Sequence, residues 1–177
     1  MLEPIVRVIE VPCGQEAAFN IFISEMNTWW PLGKYTTSAM DGRPAKSIRV
    51  DARPGGAIVE IGHDDTETQW GTLRVYEPYG LLSMDFHIPQ PREQVNDRSL
   101  VEVRFTSIGP DRTRVQLTQS NWEAFGERAK DMQGGYGGGW TAIFEGAYKA
   151  ACGAQRHSLE VTEPLPKGDA NRVSNTP

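Results

Sequence analysis

The sequence is poor in the residues on which most site chemistry depends, with two cysteines and three histidines in 177 residues. Cys13 and Cys152 lie far apart in the chain and match no metal or redox spacing, so both are read as reduced thiols. There is no GxSxG elbow, no HExxH, no GxxxxGK and no complete GxGxxG, which removes the local signatures of common hydrolases, zinc proteases and nucleotide-binding loops. No cofactor and no metal are therefore expected. His63 with Asp64 and Asp65 sits in a GHDDTET stretch that has the composition of an acidic hairpin turn, and His87 is no partner to it by spacing. The chain also lacks a basic run: its net charge is −5, which argues against a nucleic-acid partner held through phosphates. Long apolar runs are missing too. The N-terminal MLEPIVRVIEV carries Glu3, Arg7 and Glu10 inside its apolar stretch, which excludes a secretory core and a membrane span, so a cytoplasmic protein with no membrane insertion is expected.

What the chain does have is strand signals followed by one strong helix. Ile5 to Val11 reads as a strand ended by Pro12, and Gly14 to Ser24 as a short helix burying Ala18, Ile21 and Phe22. Lys46–Asp51, Ala57–Ile61, Trp70–Tyr76, Leu81–His87, Leu100–Ile108 and Thr113–Ser120 are successive strands across turns at Pro54–Gly56, at GHDDTET, at Pro78–Gly80 and at GPDR. Alternation is clear in the last pair, where Val101, Val103 and Phe105 oppose Val115 and Leu117 while Glu102, Arg104, Arg114 and Gln116 take the wet face. In the segment Gly134 to Gly153, Trp140, Ile143, Phe144, Ala147, Tyr148 and Ala151 recur at helical spacing and mark one buried stripe. Thr141, Glu145 and Lys149 fall opposite, with Glu145 and Lys149 placed as an exposed pair. The preceding glycines read as a hinge after a helix or loop over Glu123–Met132, and Gly153 as the stop. Short hairpins followed by a terminal helix give the α+β class. One domain over 1–153 and a polar tail over 154–177 are the expected organisation.

The order PGG-x3-E (Pro54 to Glu60), WGTLRVYEP (Trp70 to Pro78), LLSMDF, VEVRFTSIGPDRTRVQLTQSNW (Val101 to Trp122) and GGYGGGWTAIFEGAYKAA resembles the activator-of-Hsp90-ATPase homologue 1-like (AHSA1-like) branch of the START/Bet v 1 (SRPBCC) superfamily. The resemblance covers nearly residues 3 to 152. It implies a helix-grip fold: a curved antiparallel sheet of six to seven strands around the long C-terminal helix, two short helices after the first strand, and a hydrophobic cavity inside. It implies less about activity, because the superfamily hosts lipid carriers, cyclases, hydrolases and co-chaperone domains.

The residues add their own argument for a cavity. Gly139, Ala142, Gly146 and Ala150 form a line of minimal side chains beside the apolar stripe, where a closing sheet must either approach the backbone or leave a void. Trp70, Met84, Phe86 and Trp140 would wall such a void, with Tyr136, Ile143 and Phe144 from the glycine run and helix. The loop WWPLGKYTTSAMDGRPAK, Trp29 to Lys46, is unusually apolar, and Trp29, Trp30 and Tyr35 are its candidate lid, unless the tryptophans merely pin the loop to the core. The expected partner is a small hydrophobic molecule. Glu60, His87 and Arg104 are the candidate catalytic groups for a cyclase or hydrolase in the same pocket, and Gln119 is a further polar group on a strand; a one-residue register change reverses the face each occupies. If Glu60 points inward it requires an arginine or tryptophan N–H, and otherwise it ties down the PGG turn or a neighbouring strand. An Hsp90-type chaperone partner ranks last, because the chain has no preceding domain of the two-domain co-chaperones. The strand edges and the proline-rich segment His87–Asp97 admit a homodimer.

Overall fold

The computed structural model describes residues 1–162 of the chain, with side-chain burial described through residue 155. Seven strands form one antiparallel sheet: β1 (Ile5–Val11), β2 (Ser47–Val50), β3 (Ala57–Ile61), β4 (Glu67–Glu77), β5 (Leu81–Phe86), β6 (Ser99–Gly109) and β7 (Arg112–Ser120), in the order β1-β7-β6-β5-β4-β3-β2. The last six strands follow one another as hairpins, and β1 returns to pair with β7 through Ile5↔Gln119 to Val11↔Thr113. Alternation sets the faces as the sequence predicts: Val101, Val103, Phe105, Val115 and Leu117 are buried and Arg104 and Arg114 are exposed. Glycine is obligatory at two of the turns and bends. A Cβ on Gly56 would lie 1.7 Å from the Asp51 carbonyl oxygen, and one on Gly71 would lie 1.8 Å from that of Asp85.

Between β1 and β2 run three short helices, one more than expected: α1 (Gln15–Ile23), α2 (Met26–Trp29) and α3 (Thr37–Met40). Helix α1 packs Phe19 and Phe22 against Phe105, with ring centroids at 5.2 and 6.0 Å. Thr36 caps α3 by accepting the Ala39 N–H on its hydroxyl.

The C-terminal helix departs most from expectation. After a 3₁₀ stretch (Trp122–Arg128), α4 (Ala129–Trp140) carries the whole glycine run, widens into π-helical turns over Thr141–Tyr148, and continues as α5 (Lys149–Thr162). The glycines are thus helical and not a hinge, and Gly153 does not end the helix. Of the expected tail, the first residues are helical to Thr162 and the remainder lies outside the described residues. The predicted stripe holds, with Trp140, Ile143, Phe144 and Tyr148 buried against the sheet and α1. Tyr148 donates its hydroxyl to the Ala18 carbonyl at 2.7 Å. Glu145 approaches Arg7 of β1 at 3.6 Å, so its ionic partner comes from the sheet. The two thiols, distant in sequence, meet: Cys13 and Cys152 are both free and buried, and they share a hydrogen bond.

Candidate functional site

The aromatic side chains expected to wall a cavity fill it instead. Trp30 packs on Trp70 at 5.1 Å and on Trp140 at 6.1 Å, Phe86 lies 5.9 Å from Trp140, and Trp29 lies 5.2 Å from Tyr148. Trp29, Trp30, Trp70, Met84, Phe86, Trp140 and Phe144 are all buried in one continuous core. The lid reading of Trp29 and Trp30 is therefore corrected to its alternative. Each indole is tied down, Trp29 donating to the Ile21 carbonyl at 2.7 Å and Trp30 to the Tyr35 carbonyl at 2.8 Å. The small-residue line is corrected as well: Ala142, Gly146 and Ala150 face solvent, and only Gly139 of the four is buried.

A cavity does exist, one helical turn earlier. Because α4 is helical through its glycines, Arg128, Met132, Gly135, Tyr136, Gly139 and Ile143 share one face by i, i+3 and i+4 spacing. That face is the floor of a cavity of about 230 Å³, and its walls are Lys34, Tyr35, Met40, His87, Ile88 and Gln90. The two glycines leave room where any other residue would project a side chain. A Cβ on Gly139 would touch the Tyr35 ring at 3.8 Å, and one on Gly135 would meet nothing within 4 Å. The Trp30 hydrogen bond holds the Tyr35 carbonyl, and Thr37 donates to the Pro89 carbonyl at 2.6 Å, so the loop before β2 and the segment after β5 are joined over the site. Of the residues expected to bind a ligand, Tyr35, Tyr136 and Ile143 line this cavity.

His87, 2% exposed, stands at one end of it. Tyr136 Oη accepts the Ile88 N–H at 2.8 Å and lies 3.0 Å from His87 Nδ1, while His87 Nε2 lies 3.2 Å from Glu93. The arrangement that satisfies every group is a neutral imidazole, with Tyr136 donating to Nδ1 and Nε2–H donating to the Glu93 carboxylate. Burial accounts for the charge state: it pulls the imidazole below its ordinary range against the upward pull of Glu93. Burial also pushes the Tyr136 phenol up. For Glu93, burial acts upward but is outweighed by hydrogen bonds from Arg128 at 2.8 Å, the Gln90 N–H at 2.7 Å and His87, so its carboxyl lies below the usual range.

The other two catalytic candidates do not join His87. Arg104 is exposed on the outer face of β6, which removes it from any pocket. Glu60 is buried to 1% and points inward, where it finds the tryptophan N–H that such a placement demands. Trp70 Nε1 donates to it at 3.0 Å, and the backbone N–H groups of Thr37 and Ser38 donate at 2.8 Å each. Its three donors tie strand β3 to the start of α3, a structural task performed on the loop and not on the PGG turn. Gln119 is likewise a buried connector, accepting from Trp140 Nε1 at 2.7 Å and donating to Ser99 Oγ at 2.8 Å. His63 lines a separate, polar cavity of about 450 Å³ with Asp41, Glu60, Asp64 and Arg92, so the two histidines serve different sites.

Lys34, Met40, Ile88, Gln90, Glu93, Arg128, Met132 and Gly135 belong to the site and were not among the candidates. The helical members were recoverable by continuing the i, i+3, i+4 pattern back from Ile143 through the glycines. The loop members carry no periodic signal.

A family model described as activator of Hsp90 ATPase homolog 1-like protein matches residues 15–147. Among solved structures, the chain is similar to the self-sacrificing resistance protein CalC from Micromonospora echinospora, at 19% identity over 86% of this chain and 95% of that one, with a TM-score of 0.63. It is similar to protein NE0264 from Nitrosomonas europaea, at 13% identity over 88% of this chain and 96% of that one, with a TM-score of 0.59. A third likeness is to Txn09, described as an anthrahydroquino-γ-pyrone synthase, at 23% identity over 74% of this chain and 84% of that one, with a TM-score of 0.53. No protein of curated function matches the sequence. These likenesses place the fold with the helix-grip proteins.

Proposed function

Because the chain belongs to the activator of Hsp90 ATPase homolog 1-like protein family, whose fold lays a long helix across a curved sheet, we propose that it binds a small hydrophobic ligand, seated on the glycine face of α4. The observation that carries this reading is the cavity of about 230 Å³ between Gly135 and Gly139 on one side and Tyr35, Met40 and Ile88 on the other. It is concave, largely apolar and crossed by two loops, the form that ligand sites take. Its volume is below the roughly 300–1,000 Å³ of drug-sized pockets, so it takes a compact apolar body and leaves the rest of any longer molecule outside the mouth. No helix among the described residues is long and apolar enough to cross a membrane.

The test uses the neutral dye Nile red together with native mass spectrometry of gently purified protein. Gly139→Leu projects a branched side chain into the cavity and is expected to abolish dye binding, whereas Gly139→Ala, whose Cβ makes only ordinary contact with Tyr35, retains it. Equal dye binding by the leucine variant, or no binding by the native protein, rejects the site.

The convergence of His87, Glu93 and Tyr136 at one end of the same cavity favours a second reading, catalysis. A neutral imidazole bonded to a phenol can move a proton at a bound carbonyl. In that case Tyr136→Phe lowers turnover of the bound molecule while leaving its affinity unchanged, and unchanged turnover removes the idea. Stimulation of an Hsp90-type ATPase ranks below both, since the family's name alone raises it.

A further inference from the structure

The charged side chains that line the cavity are both cationic, and the Glu93 carboxylate stands behind them, bonded to Arg128 and His87. In a chain with a net charge of −5, the ionic groups lining it are Lys34 and Arg128, with no carboxylate among the lining residues. The two differ in availability. Arg128 already forms an ion pair with Glu93 at 2.8 Å and approaches the Met132 sulfur at 3.8 Å, so its charge is answered from within the fold while some of its N–H groups stay free. Lys34 makes no ion pair among the described residues. Its ammonium lies 5.4 Å from the centroid of the Tyr35 ring, which is itself a cavity wall. That contact sets the exposed ammonium beside a cavity wall. His87 does not add a third charge, because both ring nitrogens are committed in the neutral form.

A cavity with an apolar floor and an unanswered cation at its rim suits a molecule that is apolar over most of its length and anionic at one end. Resting on the hydrophobic-ligand reading above, we propose that the ligand is a small organic acid, its apolar body on the Gly135–Gly139 face and its carboxylate held at the mouth by Lys34, with Arg128 contributing the donors that Glu93 leaves free. Low-dielectric walls strengthen such a pairing relative to one in open water. A neutral ester of the same body would leave the lysine unanswered.

The experiment compares 2-naphthoate with methyl 2-naphthoate by fluorescence titration at low salt, with Nile red as the reference for the cavity. The acid is expected to bind at least tenfold more tightly than its ester. Lys34→Gln brings the two within about threefold by weakening the acid alone, and Lys34→Glu reverses the preference; Lys34 is exposed, so neither change threatens folding. The preference also shrinks as salt rises. Ester binding as tight as acid binding, or a preference that survives both variants, overturns the proposal. So does Nile red binding with no naphthoate binding, which leaves the hydrophobic site standing. Failure of all three probes overturns the underlying reading and this one with it.

Discussion

At the scale of single residues, Glu60 shows how a chemically suggestive side chain is absorbed by structure. A buried carboxylate is tolerated where hydrogen-bond donors replace its lost water, and Glu60 has three, from Thr37 N, Ser38 N and Trp70 Nε1. None is a proton acceptor that would make it a relay. Glu60→Gln keeps the shape but turns an NH₂ group toward one of those N–H donors, so a donor faces a donor in a dry site. The expected cost is about 1–3 kcal/mol of folding stability, read by urea unfolding, with Nile red binding retained in the folded variant. A variant as stable as the native protein would show that the three bonds do not hold the loop. His87 is the contrasting case: its neighbours form a directional chain from the Ile88 N–H through Tyr136 and the imidazole to Glu93, which also accepts from Arg128, beside a cavity.

At the scale of elements, α4 is a helix that its own composition resists. Gly134, Gly135, Gly137, Gly138 and Gly139 each cost roughly 0.5–1 kcal/mol relative to alanine in a helix interior. What holds the turn is packing by Tyr136 and Trp140 on the same helix, and the Arg7 guanidinium of β1 donating to the Gly137 carbonyl at 3.0 Å. Gly135 and Gly139 line the cavity, whereas Gly134 and Gly138 lie off it, exposed and with nothing within 4 Å of a Cβ. Gly134→Ala and Gly138→Ala are therefore expected to stabilise the protein by about 0.5–1 kcal/mol each and to leave dye binding unchanged; a loss of stability in thermal unfolding would mean that these backbones need a freedom the structure does not show. The same element marks the limit of what was legible. Strands β1 and β3 are readable to the residue because alternation and Pro or Gly turns bound them. The glycine run is not, because local propensity speaks against the helix that tertiary packing enforces. Reading the run as a hinge starts the small-residue line at Gly139, carries it through Ala142, Gly146 and Ala150, and leaves out Gly135. Trp70 and Phe86 face inward as their strands predict, but period alone does not distinguish a packed core from a walled cavity. Lys34, Ile88 and Glu93 reach the site through loops, where nothing in local sequence announces which segments meet.

At the scale of the whole molecule, the buried His87 cluster couples the site to global stability through pH. The folded protein holds the imidazole below its ordinary value near 6.5, mainly because burial disfavours the charged form. The unfolded chain takes up that proton more readily, so between the lowered folded value and about 6.5 the unfolded state binds more protons and stability rises with pH. The contribution of His87 is complete above its ordinary value and is lost as pH falls through it. Glu93 acts with the same sign at lower pH: its folded value lies below 4.5, so its contribution is present above that value and is lost on further acidification toward the folded one. The groups facing the imidazole are Glu93, Tyr136 and, at longer range, Arg128 and Arg98; the two arginines add to the downward shift and Glu93 opposes it. Urea unfolding at a series of pH values from 8 to 5 is expected to show stability falling on acidification through the histidine range. His87→Gln, which keeps a polar group between Tyr136 and Glu93 but does not titrate, should flatten that part of the profile while leaving the carboxylate part below it. An unchanged slope in the variant would assign the acid sensitivity to groups elsewhere.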